Sequence, residues 1–171
     1  MLVEGGAEYL HLDVMDGRFV PTITFGPQLL RALRPMTDVP FDVHLMIVEP
    51  EKLIDEFISA GGNMITIHPE VCYHLHRVVH QIKDAGAKAS VALNPATPIE
   101  AIEWVVSDLD RILVMTVNPG YGAQKFLPEV LPKIERLRSL LDSRHLSTEI
   151  AVDGGINLST ARSVVSGGIQ T

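Results

Sequence analysis

Cysteine is almost absent from this chain. Cys72 stands alone in 171 residues, so no internal disulfide can form and a reducing compartment is expected. Aromatic residues are scarce at 5% while hydrophobic residues reach 46%, which leaves a core of aliphatic side chains. Positive charge is short as well. The formal net charge is −7, and no Lys/Arg cluster is present to follow a nucleic-acid backbone. The acidic surplus reads as solvated surface, and any anionic ligand must be held by local backbone donors rather than by the overall field. No apolar run approaches the roughly 20 residues of a membrane span. The opening MLVEGGAEY lacks the charged and apolar regions of a signal peptide. A cytoplasmic protein is expected, with neither nucleic acid nor membrane as partner.

What is present is an alternation. Apolar, β-branched runs at 9–15, 41–47, 64–69, 88–94, 111–117 and 149–155 predict strands. Helical patterns near 26–34, 50–60, 74–85, 98–106, 128–142 and 158–166 lie between and after them. Pro50, Pro98 and Pro128 suit first-turn positions, Gly61 and Gly86 suit C-terminal caps, and Asn157 or Ser159 suits the last N-cap. Strands alternating with single helices predict a parallel sheet in one domain, 1–171. Two architectures fit: an open doubly wound sheet, or most of a (β/α)8 TIM barrel with about six βα units. GxGxxG after the first strand is missing, which weighs against an open-sheet dinucleotide binder. The polar residues favour the barrel. Asp13, His44, His68, Asn94, Asn118 and Asp153 all fall near C-terminal strand ends, where barrels place their chemistry.

The stretch HLDVMDG, residues 11–17, holds the densest chemistry. A core strand should be apolar, because an unpaired buried charge costs several kcal/mol. Side chains alternate along a strand, so His11, Asp13 and Met15 share one face, as do Asp42, His44 and Met46. In a barrel that face points inward. His11, Asp13, His44 and Asp153 then converge as two imidazoles and two carboxylates, a ligand set for one divalent ion such as Zn, Fe, Mn or Co. Asp16 has the opposite parity and is expected to hold the following turn with Gly17. One HxD pair alone reads more simply as a core histidine bonded to a carboxylate; four such residues at equivalent strand ends do not.

Two glycine turns follow later strands. In NPGYGAQ, 118–124, Gly120 and Gly122 allow a tight turn with exposed N–H groups that suit phosphate oxygens. In DGGI, 153–156, Gly154 and Gly155 precede a helix whose N-terminus adds to an anion site. Either turn alone reads equally well as a plain βα connection. Met15, Met46 and Met115 read as core, or as apolar walls of a site. His68 faces the pocket or orders its strand end. The run Cys72, His74, His76, His80 reads first as a solvated or partly buried helix face. Only His76 and His80 have the spacing for a second metal site.

The segments HLDVMDGRFVP, TFGP, DVHLM, HLHR, LNPATP, MTVNPGYGAQKF and VDGGI resemble, in order, the ribulose-phosphate 3-epimerase family. An epimerase for allulose 6-phosphate shares much of this pattern. The resemblance implies a barrel that interconverts D-ribulose 5-phosphate and D-xylulose 5-phosphate in the pentose phosphate pathway. It implies metal at His11, Asp13, His44 and Asp153, with Asp13 and Asp153 also the acid/base pair. Substrate contacts are implied for His44, Met15, Met46, Gly120, Tyr121, Gly122, Ala123, Asp153, Gly154 and Gly155. The substrate is a small sugar phosphate, and a homo-oligomer is expected.

Three departures from the family pattern stand out. Ala123 replaces a glycine, which matters if that position needs φ > 0. Ala151 replaces an acidic residue, with little effect expected on chemistry. A barrel of this type runs to at least about 200 residues. The chain is therefore expected to be cut at both ends, starting at the end of a first helix and stopping at SGGIQT, without the first and eighth strands. Besides the epimerase, two other expectations stand: a catalytically impaired fragment that only binds sugar phosphates, or another metal-assisted barrel enzyme such as an aldolase or hydrolase.

Overall fold

The structure, a computed structural model, describes residues 6–167. The segment expected to end a first helix, residues 1–5, and residues 168–171 of SGGIQT lie outside the described residues. Six strands form one sheet: β1 (Leu10–Met15), β2 (Phe41–Met46), β3 (Gly62–Ile67), β4 (Lys88–Leu93), β5 (Arg111–Met115) and β6 (Glu149–Asp153). They are parallel and pair in chain order. Parallel neighbours require crossovers. α1 (Pro27–Leu33), α2 (Ile54–Ser59), α3 (Leu75–Asp84) and α4 (Leu131–Ser143) supply four of them, and α5 (Leu158–Ser166) follows β6.

The start and stop signals act where the sequence places them. Pro50 and Pro128 open 3-10 turns that lead into α2 and α4. Gly61 and Gly86 follow α2 and α3 at φ 110 and 87. Asn157 caps α5 in a reciprocal box with Thr160. The helix expected near 98–106 is instead two 3-10 turns, Ile99–Ile102 and Val106–Asp108. Its buried residues, Ile99, Ile102, Val105, Val106 and Leu109, have the spacing of one α-helical face, so apolar periodicity does not separate the two forms.

Strand parity separates two environments. Val14, Val43, Leu45, Ile65, Ile67, Val91, Ile112 and Val114 face outward and pack with Leu30, Phe57, Val79, Ile82, Ile102 and Leu137 into the main core. The opposite parity holds a smaller cluster, Ala92, Leu113 and Met115 with Ala151, and the polar residues named above. Contacts across that inner face show that the sheet is curled. In a flat sheet β1 and β6 would lie roughly 24 Å apart. Here Asp13 and Asp153 offer oxygens within 4.8 Å of each other. Arg111 on β5 donates from Nη1 to Asp42 Oδ2 on β2 at 3.0 Å and from Nη2 to Glu149 Oε2 at 2.9 Å. The guanidinium thus ties three strands together beneath the site. Among the described residues, no helix is long and apolar enough to cross a membrane.

Candidate metal and acid–base site

The C-terminal ends of the strands surround a cavity of about 460 Å³. Asp13, Met15 and Met46 line it from β1 and β2, and Met115 and Asp153 from β5 and β6. The two glycine turns complete it through Gly120, Tyr121, Gly122, Ala123, Gly154 and Gly155. Every residue expected to contact substrate therefore borders this space except His44, which is fully buried beneath it. His11, on the edge strand, also lies outside the lining, with its side chain 34% exposed.

The four expected ligands do converge. His11, Asp13, His44 and Asp153 each offer one ligand atom, all within 4.8 Å of one another. Asp13 sits at the centre: Oδ1 lies 3.3 Å from His11 Nε2 and 3.1 Å from His44 Nδ1. His11 Nδ1 reaches Asp42 Oδ2 at 2.9 Å, a partner that parity alone does not reveal. Burial disfavours a charged His11, but its bonds to Asp13 and Asp42 outweigh this and hold its pKa up at about 10. Burial likewise opposes the Asp13 carboxylate, yet the two imidazoles hold it well below the usual carboxylate range. Asp153 moves the other way. Its burial and the nearby Asp13 charge push it up, against the weaker pull of His44 and His11. The surroundings therefore push the two carboxylates in opposite directions, Asp13 toward ionisation and Asp153 toward holding a proton more readily than an ordinary carboxylate.

The same donors fit a divalent cation. The carboxylates already hold positive charge at His11, and nitrogen and oxygen ligands in this ratio suit Zn, Fe, Mn or Co. His44 supports the fit. Burial lowers its pKa, so the imidazole is neutral. With Nδ1–H donating to Asp13, His44 Nε2 accepts from His68 Nε2–H at 2.8 Å. His68 Nδ1 is then a buried nitrogen without a partner, 3.6 Å from Glu70 Oε2. If a cation replaces the Nδ1 proton of His44, the chain of donors reverses. His44 Nε2–H then donates to His68, and the Nδ1–H of His68 turns toward Glu70. Of the two expectations for His68, the second fits: it does not line the cavity but is buried at the end of β3, behind His44, and backs that ring. The ring of Phe19, 4.8 Å from that of His68, covers it further.

Local bonds fix the loops. Asp16 Oδ1 accepts from the amides of Arg18 and Phe19 at 2.8 and 2.9 Å, and Oδ2 accepts from Val48 N–H at 2.8 Å. Thr24 Oγ1 donates to Asp13 O and accepts from Met15 N–H, which occupies part of the open edge of β1. Thr22 Oγ1 donates to Gly120 O at 2.6 Å and joins this loop to the first glycine turn. Thr116, also unmarked by any sequence signal, donates from N–H and Oγ1 to Asp153 O at 2.7 and 2.8 Å. It thereby anchors the end of β6. Gly120, Gly154 and Gly155 have φ of 116, 109 and 66, and so does the one alanine among them, at φ 58 in Ala123. Among the described residues, no protein group accepts from the amides of Gly122 and Ala123, which leaves them free for an anion. Cys72 is buried, and its thiol is pushed up to about 12 by burial and by Glu51 and Glu70, which disfavours the thiolate.

A model of the ribulose-phosphate 3 epimerase family matches residues 1–171. A ribulose-phosphate 3-epimerase of Bacillus subtilis is 51% identical over 96% of this chain and 76% of its own length. One from Synechocystis is 50% identical over 96% of this chain and 73% of its length. The Escherichia coli ribulose-phosphate 3-epimerase is 39% identical over 95% of this chain and 73% of its length. Among solved structures, a tryptophan synthase alpha-subunit from Pyrococcus furiosus matches with a TM-score of 0.63 and 15% identity. It covers 84% of this chain and 58% of its own, a likeness of fold alone.

Proposed function

The chain belongs to the ribulose-phosphate 3-epimerase family, and on that footing we propose that it epimerises D-ribulose 5-phosphate and D-xylulose 5-phosphate at C3. The observation that carries the mechanism is the pair Asp13 and Asp153. They come from the two end strands, border one cavity, and have pKa values driven apart by their surroundings.

Inversion next to a carbonyl requires one proton to leave one face of the carbon and another to reach the opposite face. An ionised Asp13 accepts the C3 proton while a protonated Asp153 supplies its replacement, and the reverse reaction exchanges these roles. Met46 and Met115, almost fully buried, form an apolar floor that keeps water from the planar intermediate. The free amides of the first glycine turn, together with Gly154 and Gly155, hold the phosphate and so determine which carbon lies between the carboxylates. His11, Asp13, His44 and Asp153 would hold one divalent ion. When bound, it supplies Lewis-acid stabilisation of the enediolate's negative charge.

Ribulose 5-phosphate in deuterated buffer with the metal-loaded chain should gain deuterium at C3 and yield xylulose 5-phosphate by NMR. Retention of the C3 proton by the metal-loaded chain rejects the proposal. The reading also places the chain in the cytoplasm, consistent with its single buried thiol, and takes it as a homo-oligomer. A lone-chain mass by light scattering removes the latter.

A further inference from the structure

We propose that His76, His80 and Asp108 form a second divalent transition-metal site, on the outer surface and separate from the catalytic cavity. His76 and His80 lie one turn apart on α3, with ring centroids 4.4 Å apart and planes inclined at 36°. The 3-10 turn Val106–Asp108, which leads into β5, brings a carboxylate to the same spot. His80 Nε2 stands 3.6 Å from Asp108 Oδ2, and one ligand atom from each of the three residues lies within 4.8 Å of the others.

The arrangement is held from behind. Val78, Val79 and Ile82 bury the opposite face of α3, so the helix cannot rotate the histidines away. Lys83 Nζ donates to Asp108 O at 2.7 Å, and Asp108 N–H donates to Val105 O at 2.9 Å, which docks the turn against the helix. The ligand atoms stay open to solvent: the side chains of His80 and Asp108 are 42% and 32% exposed. Asp55 and Asp84 border the same hollow and offset the charge of Arg77.

Two imidazoles at a one-turn spacing with one carboxylate select Zn, Ni, Cu or Co, with water completing the coordination. Ca and Mg want oxygen ligands and are excluded. A bound ion ties α3 to the turn ahead of β5, and so joins two consecutive βα units. The site needs neither the epimerase reaction nor the cavity ligands.

Calorimetric titration of Zn²⁺ into metal-free chain tests this with three proteins: wild type, H76Q/H80Q and H11Q/H44Q. Wild type should bind at one site that H76Q/H80Q loses, or weakens by more than about 10-fold, while H11Q/H44Q retains it. Wild type and H76Q/H80Q with equal stoichiometry and affinity overturn the proposal. So does loss of all binding in a folded H11Q/H44Q. D108N changes only the carboxylate and should weaken the same event, which keeps the test decisive if a double variant does not fold. Failure of the cavity site reads differently: wild type then binds a single ion, and H76Q/H80Q alone abolishes it.

Discussion

Ala123 shows what one methyl group does in a backbone built for glycine. Its φ of 58 lies in the left-handed region, where Cβ crowds the carbonyl at about 1–2 kcal/mol. The resemblance to a family with glycine here made the position visible, but only the backbone shows that the alanine is strained. Gly155, on the other wall of the cavity, has no such tolerance. A Cβ there would meet Phe126 N at 2.5 Å and Phe126 Cα at 2.8 Å, both backbone atoms that cannot swing aside. The two substitutions should therefore have opposite signs. A123G should stabilise the fold by about 1 kcal/mol, after the greater chain entropy of glycine is deducted. G155A should destabilise it by about 2 kcal/mol or more. Urea unfolding midpoints check both, and an A123G midpoint at or below wild type contradicts the strain argument.

Elements are joined to one another by single side chains, and Asp16 is the plainest case. It ties the turn after β1 to the amide of Val48 beyond β2. Burial opposes its charge, but the backbone amides of Val48, Arg18 and Phe19 together outweigh this, so its pKa is lowered from the ordinary value of 3.8. A carboxylate lowered by folding contributes stability that is fully present above the unfolded pKa. That contribution is lost as pH falls through the folded value. D16N keeps one acceptor oxygen but turns an NH₂ toward the Val48 amide, at a cost of about 1–2 kcal/mol at neutral pH. The gap between wild type and D16N should narrow below about pH 4. Urea titrations at pH 7 and pH 3 measure it, and an unchanged gap contradicts the assignment. The sequence pattern was clearest at this scale for strands, because a period of two is unmistakable in LHLDVM and FDVHLM. It misled at 98–106, where apolar residues at α-helical spacing are carried by two 3-10 turns. The linking hydrogen bonds of Asp42, Thr24 and Thr116 had no sequence signature, since each depends on which strand lies opposite.

At the scale of the whole molecule, the site exists only because the sheet curls. Parity placed His11, Asp13, His44 and Asp153 on one face, but parity does not bring β1 to β6; closure does. Beneath the site that closure is held by Arg111, whose guanidinium spans Asp42 and Glu149 and lies 4.9 Å from the Tyr9 ring centroid. Nothing in RILVM marks that arginine as inward-facing, because charged residues at strand starts are common on surfaces. The mechanism inherits this geometry. If Asp13 and Asp153 address opposite faces of one carbon, each epimer presents its C3 proton to a different carboxylate. D153N should then abolish interconversion yet leave solvent exchange at C3 for one epimer, the one whose proton faces Asp13. Exchange from the other epimer should fall by at least about 100-fold, the scale of a lost general acid or base. Deuterium incorporation followed separately from ribulose 5-phosphate and xylulose 5-phosphate reads this directly. Equal losses for the two epimers would mean that Asp153 serves both faces through the bound ion rather than one face as an acid. Preserved interconversion would remove it from proton transfer altogether.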